Sequence, residues 1–194
     1  GVHSHQAHLI ALAKILSAAS VPVALHALLD GRDTPPSSAK DYVAEVAAAL
    51  SGLSNVRFAT VGGRYFAMDR DKRWERVELG YNALFGEAPY HAPSALAAVQ
   101  TAYARGETDE FVKPTLIEGF AGIKDGDGLL MGNFRADRAR QILTALLDPA
   151  FDGFPRKHMA KFAATLGMVE YSTALARFMP ALFPSVELTE TLGE

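Results

Sequence analysis

Short apolar runs alternate with segments of helical periodicity along the 194-residue chain, and this alternation constrains the fold more than any other feature. The apolar runs carry few charges and end in loops, which is typical of buried strands. We predict strands at VPVALHALL (21–29), VRFATVG (56–62), LLMGNF (129–134) and KFAATLG (161–167). We predict helices at 4–19, 37–53, 74–85, 94–106 and 135–147. Strands that alternate with helices indicate a single α/β domain, with a mostly parallel sheet and helices on both of its faces.

The composition argues against several classes of function. Hydrophobic residues make up 49% of the chain, enough for a sizeable core, and the net charge of -3 gives no reason to expect a nucleic acid or a membrane as a partner. The chain has no cysteine, which excludes disulfides, thiolate metal sites and cysteine nucleophiles. No apolar run approaches the roughly 18 residues of a membrane-spanning helix. Since there is also no signal-peptide pattern, we expect a cytoplasmic protein.

Arginines follow three of the predicted strands. DGRD places Arg32 after the first strand, GGRYFAMDR places Arg64 and Arg70 after the second, and NFRADR places Arg135 and Arg138 after the third. Ligands of open α/β sheets bind outside the carboxyl ends of the strands, so these loops could face one crevice. Arg135 and Arg138 also lie in the first turn of a predicted helix, where free N–H groups favour an anion. The pattern therefore predicts an anion-binding site.

Each of these polar residues also has a simpler interpretation. Any one arginine could form a surface ion pair with a neighbouring aspartate, and such a pair contributes about 0–1 kcal/mol. The aspartates available for this are Asp33, Asp69, Asp71 and Asp137. Asp33 could simply close the turn in which it lies, or it could act as a general base for a substrate hydroxyl.

Other motifs for chemistry are weak or absent. His3, His5 and His8 lie close together in the sequence, but no nearby carboxylate completes a set of metal ligands, so we predict no metal in this chain. There is no GxxxxGK[ST] or GxGxxG motif, which leaves neither a P-loop nor a dinucleotide fingerprint.

Five motifs, taken in order, resemble the cofactor-independent phosphoglycerate mutases. They are GVHSHQAHL (1–9), LLDGRDTPP (28–36), GGRYFAMDRDKRWERV (62–77), TDEFVKPT (108–115) and NFRADRARQI (133–142). The resemblance covers nearly all of the chain, and five motifs with compatible spacing are far more specific than one. It implies that residues 1–194 are the phosphotransferase, or substrate-binding, domain of such an enzyme and that the phosphatase-like metal domain is absent. We accordingly expect the chain to be a piece of a longer protein.

The resemblance implies an isomerase that interconverts 3-phosphoglycerate and 2-phosphoglycerate in glycolysis and gluconeogenesis. In this family, a serine of a domain from the alkaline phosphatase superfamily takes the phosphoryl group, and two manganese ions activate it. We expect the serine and both Mn²⁺ ions on the missing domain and none of them in this chain. This chain alone should therefore be inactive, and its partners should be the phosphoglycerates and the missing domain, with no nucleic acid and no membrane.

The resemblance also assigns roles to seven residues. The substrate-binding residues that it implies are His3, Arg32, Asp33, Arg64, Arg70, Arg135 and Arg138. Asp33 is in addition the catalytic candidate, for proton transfer at a glycerate hydroxyl. Because phosphoglycerate carries a carboxylate and a phosphate, several guanidinium groups could hold both of its ends. Two alternatives remain open: a non-catalytic module that binds a phosphorylated metabolite, and a domain of a related enzyme that acts on another phosphoester.

Overall fold

The computed structural model describes residues 1–184. Its helices are α1 (Gln6–Ala18), α2 (Ala39–Leu50), α3 (Arg64–Ala67), α4 (Trp74–Leu84), α5 (Ala95–Ala104), α6 (Arg140–Leu147) and α7 (Thr173–Ala176). Its strands are β1 (Val23–Leu29), β2 (Val56–Gly63), β3 (Tyr90–Ala92), β4 (Thr115–Ile117), β5 (Gly128–Met131) and β6 (Ala164–Gly167). A short 3₁₀ helix covers Asp109–Phe111. Residues 185–194, which the predicted domain includes, lie outside the described part.

The described strands form two sheets. The larger sheet has the order β1-β2-β4-β3, in which β1 is parallel to β2 and β3 is parallel to β4. β2 and β4 are antiparallel and join these two pairs, whereas β5 and β6 form a separate parallel pair. The predicted α/β fold with mostly parallel strands is confirmed. The sequence pattern does not reveal β3, because three residues are too few to show a period.

Helices cover both faces of the larger sheet, as predicted. On one face, α2 and α5 pack against Leu29 and Val61 in a buried apolar core. On the other face, α3 and α4 face Leu28 and Gly62. Successive residues of a strand point to opposite faces, which is why Leu28 and Leu29 contact different helices. A second core around Tyr81 joins α4 to α6 and β5 and so connects the two sheets.

Helix α1 and the segment after β2 differ from the prediction. α1 begins at Gln6 and is capped by His5, whose Nδ1 accepts from the amide of Ala7 at 3.2 Å, and Ser4 is not the cap. The segment after β2, predicted as a loop, begins with the short helix α3. Arg64 is therefore the first residue of a short helix that packs against β1 and β2.

The predicted start of the helix at Arg135 is wrong. α6 begins at Arg140, and β5 ends at Met131, so that residues 132–139 form a loop between them. Arg135 and Arg138 both lie in this loop. The expected contribution of a helix N-terminus to anion binding therefore does not apply to them.

Hydrogen bonds to other segments hold the first part of this loop in place. The amides of Phe134 and Arg135 donate to the carbonyl of His3, at 2.9 and 3.4 Å. The buried hydroxyl of Tyr171 lies 2.6 Å from the carbonyl oxygen of Asn133 and binds it. These contacts come from residues far away in the chain, so no local pattern predicts them.

Candidate functional site

The seven predicted site residues lie in the N-terminal segment and in the segments that follow β1, β2 and β5. Along the chain they are His3, Arg32, Asp33, Arg64, Arg70, Arg135 and Arg138. Hydrogen bonds join the N-terminal segment, the loop after β1 and the start of α3, and an ion pair joins the loop after α3 to the loop after β5. The predicted convergence of these segments is thus observed, and the roles of the residues in binding stay predictions.

Asp33 lies at the centre of the first group of contacts. Its Oδ2 is 2.9 Å from Nε2 of the buried His3 and accepts a hydrogen bond from Nη1 of Arg64 at 2.7 Å. The bonds from Arg64 and His3 stabilise the charged carboxylate and lower the pKa of Asp33 to about 2. In the free chain, Asp33 is an ionised carboxylate held by His3 and Arg64, and it is therefore a weak base.

Arg64 is shared between two carboxylates. Its Nη1 also donates to Oδ1 of Asp30 at 2.5 Å, and its side chain is only 5% exposed. Burial alone would lower the pKa of Arg64, but the hydrogen bonds and charges of Asp33 and Asp30 outweigh burial and raise it. Asp30, which the sequence analysis did not single out, also accepts hydrogen bonds from the amides of Arg32 and Asp33, at 3.2 and 3.1 Å.

Two glycines allow the 3₁₀ helix to approach these loops. Gly31 has a φ of 73°, and a Cβ there would lie 2.6 Å from the amide nitrogen of Glu110. A Cβ on Gly63, at the end of β2, would clash with the carbonyl oxygen of Glu110. Close backbone packing therefore sets the distance between the loop after β1 and the residue that precedes Arg64.

Asp137 joins two of the predicted arginines in a second group of contacts. Arg135 donates from Nε and Nη2 to the two oxygens of Asp137, at 2.9 and 3.1 Å, and Arg70 donates from Nη1 to Oδ2 at 2.7 Å. Burial would raise the pKa of Asp137, but the bonds from Arg70 and Arg135 outweigh it and lower the pKa. Arg70 and Arg135 thus form surface ion pairs in the free chain, and their roles in binding stay predictions.

Arg138 differs from the other four arginines. It donates from Nη1 to the carbonyl of Met68 at 3.0 Å, and among residues 1–184 no carboxylate lies within ion-pair distance of it. Its Nε is buried and has no hydrogen-bond partner in that part of the chain. Burial, followed by the charges of Arg64 and Arg70, lowers its pKa. Arg138 is therefore a partly desolvated cation beside two other cations, and the nearby charges of Asp137 and Asp71 offset these effects only in part.

An open pocket of about 260 Å³ lies against Arg32, Arg64 and Arg138. Two further arginines that the sequence analysis did not single out, Arg73 and Arg76, line the same pocket. The five guanidinium groups outnumber the pocket's carboxylates, which belong to Asp69, Asp71 and Glu110. His3, Asp33, Arg70 and Arg135 do not line this pocket and are connected to it through the contacts described above.

Aromatic rings shape one side of this pocket. The guanidinium of Arg76 lies over the ring of Tyr65, 3.8 Å from its centroid, and Tyr65 also contacts Phe111. The motif DKRWERV contained a signal for Arg73 and Arg76, since both come at the start of a helix that follows two arginines of the site. The surplus of positive charge suits the pocket to a small anion.

The structure corrects the argument about metal ligands. No carboxylate is near the N-terminal histidines in the sequence, but the fold brings His3, Asp30 and Asp33 together, with their ligand atoms within 4.8 Å of one another. Arg64 donates to both carboxylates and already supplies the positive charge. A metal ion would have to displace this buried guanidinium, so the three residues as arranged do not fit a metal centre.

Comparison with known proteins decides the family. The family model described as "BPG-independent PGAM N-terminus (iPGM_N)" matches residues 1–173. The chain belongs to this family.

Relatives of this iPGM_N chain are named 2,3-bisphosphoglycerate-independent phosphoglycerate mutase. The protein from Gluconobacter oxydans is 50% identical over 194 residues, and that from Rhodopseudomonas palustris is 51% identical over 194 residues. Both matches cover 100% of this chain but 38% of the relative, so the chain spans well under half the length of these curated relatives.

A solved structure agrees with the iPGM_N assignment. The crystal structure of Leishmania mexicana phosphoglycerate mutase at low cobalt concentration matches with a TM-score of 0.87 and 31% sequence identity. The match covers 97% of this chain and 37% of that one. The fold described above is therefore found within a phosphoglycerate mutase.

No helix in residues 1–184 is long and apolar enough to cross a membrane.

Proposed function

We propose that residues 1–194 form the substrate-binding domain of a cofactor-independent phosphoglycerate mutase, which interconverts 3-phosphoglycerate and 2-phosphoglycerate. In this proposal, the arginines of this chain hold the carboxylate and the phosphate of the substrate. The serine that takes the phosphoryl group belongs to a part of the enzyme outside this chain. Support comes from the family match over residues 1–173 and from relatives of that name at about 50% identity.

The state of Arg138 is the observation that carries the proposal. Its guanidinium is partly buried beside Arg64 and Arg70, and its Nε lacks a partner among the described residues. This arrangement is unfavourable in the free chain, because desolvation and like charges both act against the cation. A bound anion with more than one negative charge would relieve both effects.

The ion pairs of Asp137 are also consistent with substrate binding. The side chains of Arg70 and Arg135 are 45% and 43% exposed. Ion pairs of this exposure contribute about 0–1 kcal/mol, so an incoming carboxylate or phosphate can take the place of Asp137 at small cost. Arg70 and Arg135 are thus held near the pocket while they remain available.

In this proposal, Asp33 accepts the proton of a glycerate hydroxyl. A general base works best when its pKa is near the working pH, and the pKa of Asp33 in the free chain is about 2. Substrate binding must therefore loosen the hydrogen bond between Asp33 and Arg64 before Asp33 can serve as the base.

The rest of the chemistry is assigned to the part of the enzyme outside this chain. Two Mn²⁺ ions bound there would activate the serine and stabilise negative charge on the phosphoryl group. The residues of this chain bind and orient glycerate and its phosphate esters between the two transfers. An enzyme of this metabolic role would work in the cytoplasm.

Phosphorus NMR of 3-phosphoglycerate tests the proposal. With manganese present, we expect 2-phosphoglycerate to appear with the complete enzyme and not with the 194-residue chain. Turnover by the pure chain would refute the division of labour between two domains. Binding without turnover by the complete protein would favour the non-catalytic module, and turnover of a different phosphoester alone would favour the related enzyme.

A further inference from the structure

We propose that Asp30 is a positioning residue that retains Arg64 when Asp33 turns away from it to act as the base. This inference rests on the proposed function, in which Asp33 accepts the proton of the substrate. It adds a role for a carboxylate that does not itself contact the reacting atoms.

The geometry gives Arg64 two carboxylate partners on one nitrogen. Nη1 of Arg64 lies 2.5 Å from Oδ1 of Asp30 and 2.7 Å from Oδ2 of Asp33. The side chain of Arg64 is only 5% exposed, so its charge depends mainly on these two carboxylates in the free chain. A buried guanidinium without a counterion is costly, and one of the two carboxylates must therefore stay.

The two carboxylates differ in how firmly they are held. Oδ1 of Asp30 accepts the amides of Arg32 and Asp33 in addition to Arg64, which fixes the Asp30 side chain to its own loop. The side chain of Asp33 is 35% exposed, compared with 18% for Asp30. Asp33, which is bound by the side chains of His3 and Arg64 and by no backbone amide, can turn towards a ligand more easily than Asp30.

The charge of Asp30 affects how easily Asp33 can leave Arg64. While Asp30 is ionised, Arg64 keeps one counterion after Asp33 has moved. If position 30 were neutral, Asp33 would be the only carboxylate of this chain bonded to Arg64, so Arg64 would hold Asp33 more firmly. Fewer enzyme molecules would then have a free base, and the chemical step would slow down although the substrate could still bind.

Steady-state kinetics of the complete enzyme test this inference with Asp30→Asn, Asp33→Asn, the double variant and Asp152→Asn. Asn at position 30 keeps a carbonyl oxygen for the two amides but removes the charge. We expect Asp30→Asn to lower kcat about tenfold, as a one-unit fall in the pKa of Asp33 would do, with KM changed less than about twofold. Asp33→Asn should lower kcat by about 100-fold or more. The exposed Asp152 is the control and should leave both constants unchanged.

The double variant separates action through Asp33 from an independent effect. We expect Asp30→Asn to cause no further loss of kcat in the Asp33→Asn background. Losses that multiply, or a raised KM with unchanged kcat in Asp30→Asn, would overturn the inference and leave the proposed function intact. A normal kcat in Asp33→Asn would instead refute the proposed base and the inference with it.

A charge-conserving variant covers the case in which Asp30→Asn does not fold. Asp30→Glu keeps the counterion of Arg64 and is expected to keep a kcat closer to that of the unmodified enzyme than Asp30→Asn or Asp30→Ala. A kcat for Asp30→Glu as low as that of Asp30→Ala, with an intact thermal transition, would contradict the role of the charge.

Discussion

Replacement of Arg138 by methionine should separate binding from folding. Methionine retains much of the apolar stem but removes the guanidinium, whose Nε has no partner in the described part of the free chain. If Nε and a second N–H group bind the substrate anion, their charge-assisted hydrogen bonds contribute about 1.5–3 kcal/mol each. The loss of two such bonds predicts a fall in kcat/KM of at least about 100-fold.

The same substitution should affect folding only slightly. The chain loses the hydrogen bond from Arg138 to the carbonyl of Met68, which contributes about 1 kcal/mol. It also loses the repulsion between Arg138 and the charges of Arg64 and Arg70, which acts in the opposite direction. We expect the free energy of unfolding to change by less than about 1 kcal/mol, which corresponds to a Tm shift of about 2–4 °C at most.

Two measurements on the complete enzyme decide this prediction. Initial rates with 3-phosphoglycerate give kcat/KM, and calorimetry or circular dichroism gives Tm. The matched control is Arg177→Met, since Arg177 is an exposed arginine whose side chain reaches Asp148 only at 3.5 Å. An Arg138→Met variant with normal kcat/KM, or with a lost thermal transition, would refute the reasoning that Arg138 is held ready for an anion.

Two further predictions concern pH and the packing beneath the site. Burial lowers the pKa of His26 to about 4, below the ordinary value of 6.5, so the unfolded chain binds the proton more readily and stability falls as the pH decreases from about 6.5 to 4. The loss in the free energy of unfolding is at most about 3 kcal/mol, because His26 keeps some exposure. Denaturant unfolding at several pH values should show this decrease for the unmodified chain and a smaller decrease for His26→Gln. Gly63→Ala should destabilise the chain by about 1–3 kcal/mol, because the new Cβ meets the carbonyl of Glu110. Gly52→Ala, where a Cβ meets nothing within 4 Å, is the control, and equal unfolding midpoints for the two variants would contradict the packing argument.

Much of the fold could be predicted because its signals are local. Alternating apolar runs and helical periods correctly predict β1, β2, α2, α4 and α5. The errors fall where distant contacts override the local pattern. Residues 135–139 have a helical pattern, yet α6 starts only at Arg140, and Arg138 in this loop donates to the distant carbonyl of Met68.

The sequence predicts which residues belong to the candidate site, but it does not predict the contacts between them. Position after a strand and resemblance to a family both point to the five arginines, and the structure brings their segments together. Asp30 escaped notice because an aspartate before a glycine is an ordinary turn residue. Its bond to Arg64 depends on the parallel pairing of β1 and β2, which places the ends of both strands side by side.

The amino-acid sequence by itself determined the α/β class, the family resemblance and the arginines that follow the strands. These conclusions rest on period, spacing and short motifs, which need no knowledge of distant neighbours. Only the tertiary structure decided which charges are neutralised. His3 meets Asp33 across 30 positions, and Arg70 meets Asp137 across 67, while Arg138 reaches only the carbonyl of Met68, 70 positions away. Pairing of charges depends on three-dimensional distance and burial, and for that reason only the fold reveals which of the five predicted site arginines has no carboxylate partner among residues 1–184.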